Sequence, residues 1–318
     1  MNKNNDVPLV TIGLPVHNGG KTIRESLDSL LAQDFRDYEL IICDNASTDN
    51  TESICKEYEK EDSRIAYHKY ENKVVPAESF NRVLKLARGK YFMWAADDDL
   101  WESSFLSCLV NEFNKNPDVV LSFCRFDIIS TGCQPVVLHD DWLKITGRDT
   151  FYRLLHCPRH PGKTDGCYVY GLIDRETLVK CGGMEEKVSA FAAQDVSTLF
   201  YLLSYGKFIR VDKLLFHKRV NPYRYDVGVV QSITKRLEKQ SLYSIFVSYL
   251  KWLDMIHQFY NMCRVIINRT QLNIIEKIIL KLAIYKTEIF FYLENILITI
   301  NNMTKVLMAK INEIFRKH

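Results

Sequence analysis

Short apolar runs alternate with helical patterns along the first hundred residues of the chain. Residues 9–14, 38–43, 64–68 and 91–96 each predict a buried strand, and the third of these runs is the weakest. Between the first two runs, Ile23, Leu27 and Leu30 repeat at helical spacing, and helical segments follow at residues 50–58 and 77–87. Strands separated by helices of this length favour the α/β class, with a mostly parallel sheet and right-handed crossovers.

The pattern changes near residue 231, where it becomes helical throughout and contains no Gly or Pro. Apolar residues recur at amphipathic spacing, with Lys or Glu every few residues, and the helices lack a core of their own. We therefore expect a first domain over residues 1–225 and an all-helical amphipathic region over residues 226–318. The helices can pack against copies of the chain as a homo-oligomer, against a membrane surface, or against the first domain.

The charge is distributed unevenly between these two regions. The whole chain has a net charge of +3, but residues 231–318 carry 13 Lys/Arg against 6 Asp/Glu, a net of +7, so the remainder carries −4. An acidic body does not suit a nucleic-acid backbone, whereas a basic tail suits anionic lipid. The start of the chain has no apolar signal-peptide core, so we expect a cytoplasmic protein, with peripheral contact to the inner membrane face as an option.

Three adjacent carboxylates, Asp97–Asp99, follow the apolar run of residues 91–96 directly. Removing an unpaired carboxylate from water costs several kcal/mol, so such a cluster at the end of a strand requires a cation or hydrogen-bond donors. Ligands bind at this end of the strands in open α/β sheets. Hard oxygen ligands suit Mg²⁺ or Mn²⁺, and these ions usually arrive with a phosphate.

Two other predicted strands also end in polar residues. Pro15, His17 and Asn18 follow the first strand and offer a ring and amide groups at a helix N-terminus. Asp44 begins the segment Asp-Asn-Ala-Ser-Thr-Asp after the second strand, where a carboxylate can accept hydrogen bonds from uracil or ribose. Taken singly, each segment is also compatible with a simple turn and helix cap.

The order of these segments resembles the family 2 glycosyltransferases, which are inverting enzymes with the GT-A fold. The matching segments are Pro15–Asn18, Asp44–Asp49, the stretch from Asn81 to Tyr91, and Asp97–Trp101. Further on, Cys181-Gly-Gly-Met184 followed by Gln194-Asp195 is similar to the family's Gly-Gly-Phe segment and Glu-Asp helix. The resemblance implies a GT-A, Rossmann-like, mostly parallel sheet flanked by helices, followed here by the all-helical region.

The resemblance also implies roles for individual residues. Asp195 matches the general base that takes the proton from the acceptor hydroxyl. Asp98 and Asp99 match ligands of Mn²⁺ or Mg²⁺. The expected nucleotide contacts are Pro15, His17, Asn18, Asp44 and Asp97. The expected contacts to the diphosphate or the acceptor are Arg82, Lys218 and Arg219. His17 departs from the family's usual Tyr, and Ala96 stands where many members carry a further Asp.

The activity implied is metal-dependent transfer of a single sugar from a nucleotide-diphosphate donor, with UDP favoured, to a hydroxyl group. The acceptor would be a glycan or a lipid-linked glycan in cell-surface polysaccharide synthesis. Two alternatives stay open from the sequence. One is a non-catalytic sugar-nucleotide binding or assembly protein that acts through its helical tail. The other is a nucleotidyltransferase, for which Gly19-Gly20-Lys21 offers only a short similarity.

Overall fold

The computed structural model describes residues 7–129, 136–137, 149–156, 164–186, 191–219, 242–289 and 293. The chain divides into two compact units. The first contains Met1–Pro158 and Gly162–Pro222, and the second contains Arg159–Pro161 and Tyr223–His318. The domain boundary that we predicted at residue 225 lies outside the described residues.

The first half of unit 1 is a four-stranded parallel sheet built from the four predicted runs. The strands are β1 (Val10–Val16), β2 (Tyr38–Asn45), β3 (Ile65–Tyr70) and β4 (Tyr91–Trp94), in the spatial order β3-β2-β1-β4. The crossovers are the helices α1 (Ile23–Leu31), α2 (Thr51–Glu61) and α3 (Pro76–Leu86). Every residue of β1, β2 and β4 is buried, because helices cover the sheet and leave no solvated strand face.

The second half of unit 1 extends the sheet with mixed pairing. It contains β5 (Leu100–Trp101), α4 (Phe105–Lys115), β6 (Val119–Ile129), β7 (Val136–Val137), α5 (Thr150–His156), a 3₁₀ helix (Thr164–Tyr170), β8 (Leu172–Asp174), α6 (Arg175–Cys181), α7 (Phe191–Tyr205) and β9 (Lys207–Arg219). The spatial order continues from β4 as β8-β6-β9-β5. The short strand β8 is antiparallel to both β4 and β6, whereas β9 is parallel to β6. The predicted α/β class is confirmed, and the parallel pattern is strict only in the first half.

The core of unit 1 is close-packed around β1 and β4. Phe92 and Trp94 are fully buried and meet edge to face, with ring centroids 5.2 Å apart. Gly13 in β1 lies directly against this pair, since a Cβ atom there would be 2.8 Å from both Phe92 and Val83. Only glycine therefore allows α3 and the ring of Phe92 to approach the strand this closely.

The described part of unit 2 contains two helices, α8 (Leu242–Arg269) and α9 (residues 274–289). They are joined by a buried ion pair in which Arg264 Nη1 donates to Glu288 Oε2 at 2.7 Å. The other carboxylate oxygen of Glu288 is 2.9 Å from His257 Nδ1. In the described ranges, no helix combines the length and apolar character needed to cross a membrane.

Candidate active site

The polar residues predicted from three separate strand ends meet at one edge of the sheet. Because β1, β2 and β4 are parallel neighbours, their carboxyl ends lie side by side. Asp97 packs directly against the backbone of Gly19, and a Cβ atom at Gly19 would collide with its carboxylate. The loops after β1 and β4 are thus in contact, and the glycine makes this approach possible.

Asn18 links the loops that follow β1 and β2. Its φ angle is 56°, a conformation that Asn tolerates better than most residues. Its backbone N–H donates to Ser47 Oγ at 2.9 Å, and its Oδ1 accepts from the N–H of Thr48 at 2.8 Å. Pro15 is buried within β1, opposite Cys43. The nucleotide contacts expected of Asn18 and Pro15 therefore stay predictions, whereas their contribution to the shape of this edge is visible.

His17 is held between two loops by both of its ring nitrogens. Its Nδ1 lies 2.9 Å from the carbonyl oxygen of Asn45, which can only accept, so Nδ1 carries the proton. Its Nε2 lies 2.7 Å from Lys73 Nζ, which can only donate. The Asn45 side chain in turn pairs with both the N–H and the C=O of Val74. The ring is therefore fixed at the sheet edge, and its expected contact with the nucleotide stays a prediction.

Asp44 is fully buried at the end of β2. Its Oδ1 accepts from the N–H of Ser47 at 2.7 Å, and its Oδ2 accepts from the hydroxyl of Tyr67 at 2.7 Å. Burial and the bond to Asp44 raise the pKa of Tyr67 well above its usual value. Tyr67 belongs to no motif that would single it out in the sequence. Its place in β3, opposite Ile42 in the neighbouring strand, brings it to Asp44.

Asp97 and Asp98 form the turn that follows β4. Burial, followed by the neighbouring charges of Asp98 and Asp99, raises the pKa of Asp97 to about 7. Among the described residues, no group of three or more His, Cys, Asp or Glu side chains is arranged to hold a metal. One or two carboxylates completed by substrate phosphates are nevertheless the usual environment of Mg²⁺ in proteins. These two residues therefore fit a hard divalent ion that arrives with a phosphate.

Asp99 differs from its two neighbours, because both of its carboxylate oxygens have partners within the protein. It is fully buried, with Oδ2 2.8 Å from Lys218 Nζ and Oδ1 2.9 Å from the backbone N of Arg219. Burial raises the pKa of Asp99 to about 6, against the opposing charge of Lys218. Both of its oxygens have protein donors. These contacts attach β9 to the turn after β4, and the expected role of Asp99 as a metal ligand, which would require exchange of these partners, stays a prediction.

Lys218 and Arg219, expected at the diphosphate, are both engaged within the protein. Lys218 Nζ lies over the ring of Tyr170, 4.5 Å from its centroid, as well as against Asp99. Arg219 Nη2 is 2.5 Å from Glu25 Oε2 in α1. A diphosphate contact by either residue would require exchange of these partners, and it stays a prediction.

Asp195 lies in the first half of α7 and is only 7% exposed. Its Oδ1 is buried and, among the described residues, has no hydrogen-bond partner. Burial raises the pKa of Asp195 to about 7, and the positive charge of Lys218 acts in the opposite direction. A carboxylate with a pKa near 7 and an unused oxygen is well suited to accept a proton at neutral pH.

Asn81 in α3 fixes the turn that leads towards α7. Its Oδ1 accepts from the N–H of Met184 at 2.7 Å, and its Nδ2 donates to the carbonyl of Met184 at 2.9 Å. The turn needs glycines, because Gly182 and Gly183 have φ angles of 91° and 77°. Asn81 belongs to one of the motifs that resemble the family, but the sequence indicates no role for it. Asn81 stabilises this turn through hydrogen bonds to Met184, which lies 103 residues further along the chain.

Arg82 lies at the β3 side of the same edge. Its guanidinium is 4.1 Å from the centroid of the Tyr70 ring, and its Nη1 is 3.4 Å from the carbonyl oxygen of Asn72. The described contacts connect Arg82 to the loop after β3. Contact with the diphosphate or the acceptor stays a prediction.

Two solved structures resemble the fold. TarS 1-349 from S. aureus, in complex with UDP, has a TM-score of 0.60 at 15% identity, covering 86% of this chain and 69% of that chain. The mannosyltransferase PcManGT from Pyrobaculum calidifontis, in complex with GDP-Man and Mn²⁺, has a TM-score of 0.52 at 17% identity, covering 94% of this chain and 88% of that chain. Both are glycosyltransferase structures, and at this identity they establish the fold, as the GT-A resemblance predicted.

Similarity in sequence leads to the same family. The chain is 29% identical over 273 residues to an uncharacterized glycosyltransferase, RT0329, of Rickettsia typhi, across 81% of this chain and 80% of that protein. It is 33% identical over 124 residues to WfgD of Escherichia coli, a UDP-Glc:alpha-D-GlcNAc-diphosphoundecaprenol beta-1,3-glucosyltransferase, across 39% of this chain and 48% of WfgD. The model of glycosyl transferase family 2 matches residues 11–178, more than half of the chain. The chain therefore belongs to glycosyltransferase family 2, as its strand-end motifs predicted.

Proposed function

We propose that the protein transfers a single sugar, with inversion, from a nucleotide-diphosphate donor to a hydroxyl of a glycan or lipid-linked acceptor in cell-surface polysaccharide synthesis. The observation that carries this proposal is the pair of carboxylate environments in one unit. Asp97 and Asp98 stand at the sheet edge where ligands bind, and Asp195 is a buried carboxylate with a pKa near 7. One environment suits a donor diphosphate, and the other suits proton removal from an acceptor.

The nucleotide would lie across the ends of β1 and β2. The ring of His17 offers an apolar surface for the base, and Asp44 offers a rigid acceptor whose two oxygens are oriented by Ser47 and Tyr67. UDP is the favoured nucleotide, since WfgD is named for UDP-Glc and TarS binds UDP in its complex. A dTDP donor is compatible with the same contacts.

The diphosphate would lie next to Asp97 and Asp98, which we propose as the residues that hold Mn²⁺ or Mg²⁺. The mannosyltransferase neighbour contains Mn²⁺ with its sugar nucleotide. When bound, such an ion supplies positive charge beside the phosphates. Asp97 is desolvated and next to two further carboxylates, so a cation would favour its ionised form.

Asp195 would act as the general base. As the acceptor oxygen bonds to the anomeric carbon, the bond from that carbon to the diphosphate oxygen breaks, and the acceptor proton passes to the Asp195 carboxylate. The electron pair of the broken bond leaves with the nucleoside diphosphate. Attack from the face opposite the diphosphate inverts the anomeric configuration.

Calorimetric titration tests this proposal. The protein is titrated with UDP-, dTDP- and GDP-sugars, with and without Mn²⁺, alongside Asp98→Ala and the exposed control Asp37→Ala. We expect Mn²⁺-dependent binding of one nucleotide class in the wild type and in Asp37→Ala, and its loss in Asp98→Ala. Absence of binding to every donor by folded protein would refute the proposed function.

A further inference from the structure

Helix α9 in unit 2 has a wide apolar face on its exposed side. At about 100° per residue, the members of this face fall within an arc of about 140°. They are between 43% and 74% exposed. The set, called here the α9 face, is Ile274, Ile275, Ile278, Ile279, Leu282, Tyr285 and Ile289.

The opposite side of α9 is already occupied. Leu280, Ile284 and Glu288 are buried there, and Glu288 forms the ion pair with Arg264 of α8. The Lys277 amine donates to the backbone carbonyl of Asn268 at 3.1 Å, which also ties α9 to the end of α8. The helix is therefore anchored by one face, and the α9 face lies beside that anchor. Tyr285 is at the edge nearest to it, where its ring centroid is 4.4 Å from the guanidinium of Arg264.

The charged side chains near the α9 face that have no internal role assigned above are lysines. Both described acids of this helix have internal roles. Glu288 is paired as above, and Glu276 forms a reciprocal cap in which its Oε2 accepts from the N–H of Asn273 and the N–H of Glu276 donates to Asn273 Oδ1. By the same helical spacing, Lys281 lies about 20° beyond one edge of this arc, and Lys286 lies within the arc, about 20° from its other edge.

We propose that the α9 face docks on the surface of an anionic lipid bilayer. An exposed apolar arc with a lysine near each of its two edges is the pattern of a helix that lies in the membrane interface with its lysines at anionic headgroups. A second copy fits less well, because pairing the same face with itself would bring lysines towards lysines without a described carboxylate between them. This inference rests on the proposed function only in its biological role, because docking would hold the enzyme beside a lipid-linked acceptor.

Vesicle sedimentation of the full-length chain tests this inference. The probes are vesicles of phosphatidylcholine alone and of phosphatidylcholine mixed with phosphatidylglycerol. The disrupting variant is Ile278→Asp with Leu282→Asp, at the centre of the face. The control is Val265→Asp, which places one acidic charge, against two in the double variant, on a 43% exposed apolar position of α8. Lys281→Gln and Lys286→Gln test the headgroup contribution.

We expect binding to the anionic vesicles only, weakened by at least about a hundredfold in the double Asp variant and unchanged in Val265→Asp. Each Lys→Gln change should weaken binding by about fivefold, since one basic residue near such a surface contributes about 1 kcal/mol. Raising the salt concentration should release the wild type.

Three outcomes would overturn the inference. The first is no binding to either vesicle, or binding that the double variant keeps. The second is a concentration-dependent oligomer that the double variant abolishes, which would assign the face to a second copy. The third is vesicle binding that appears only after removal of residues 294–318, which would show that the chain's own end covers the face. Donor titration in vesicle-free buffer reports on the proposed function separately, so the two failures are distinguishable.

Discussion

Replacing Asp195 with Asn should stabilise the protein while abolishing transfer. The Asp195 side chain is 7% exposed, and its Oδ1 has no hydrogen-bond partner among the described residues. Burial raises the pKa of Asp195 from 3.8 to about 7, so the folded state prefers the protonated carboxyl. Asn keeps the shape and resembles that neutral form, but it cannot accept a proton from the acceptor hydroxyl.

The sign and the size of the effect follow from this difference in pKa. A group whose pKa is raised on folding contributes stability that is fully present below the unfolded value of 3.8 and is lost as pH rises through about 7. A shift of about three units at about 1.4 kcal/mol per unit sets an upper limit of about 4 kcal/mol. The wild type and Asp195→Asn should therefore be equally stable near pH 4. Above that pH, the free energy of unfolding of the variant should increasingly exceed that of the wild type, up to about pH 8.

Urea unfolding followed by circular dichroism, in metal-free buffer at four pH values from 5 to 8, measures this difference. Asp37→Asn removes an exposed carboxylate and should follow the wild type throughout. Donor titration should find nearly unchanged affinity in Asp195→Asn. A variant that is no more stable than the wild type at pH 8, or a difference that does not grow with pH, would refute the assignment of Asp195 as a buried acid with a raised pKa.

Three further variants test other parts of the site and its support. Lys218→Met should lower the free energy of unfolding by about 3–5 kcal/mol, because it leaves the fully buried Asp99 without its cation. Adding Asp99→Asn should recover part of that loss in urea unfolding, and a loss below 1 kcal/mol in the single variant would contradict the ion pair. Gly13→Ala should lower the thermal midpoint, at a cost of about 1–3 kcal/mol for a Cβ placed 2.8 Å from its neighbours, and an unchanged midpoint would contradict this packing. Tyr67→Phe should weaken donor binding by about fivefold, which is equivalent to about 1 kcal/mol for one hydrogen bond to Asp44. Unchanged donor affinity in this variant would show that the nucleotide base does not bind at Asp44.

Features encoded by short stretches of sequence were predictable. The apolar runs near residues 9, 38 and 91 became the fully buried strands β1, β2 and β4, because a fully buried parallel strand needs a continuous apolar segment and its flanking turn residues end it. The weaker run near residue 64 became β3, which is only partly buried. The polar residues that follow those runs were brought to one edge for the same reason, since parallel strands place all their carboxyl ends together. Four such segments in order were also enough to identify the family.

Features that depend on distant pairing were not predictable in this way. The three adjacent carboxylates read alike in sequence, but Asp99 is turned to Lys218 and Arg219 across 119 and 120 residues. The antiparallel strand β8 enters between β4 and β6, a placement that its three residues do not encode.

The sequence by itself therefore determined the elements, the family and the residue types at the edge of the sheet, because these depend on local periodicity and spacing. The tertiary structure alone decided which carboxylate is neutralised by a lysine, which is left buried with a raised pKa, and which face of α9 stays exposed. Each of these outcomes is fixed by burial and by partners far away along the chain. A local pattern carries no record of them, because the same carboxyl group can be paired, protonated or bound to a ligand depending on what packs around it.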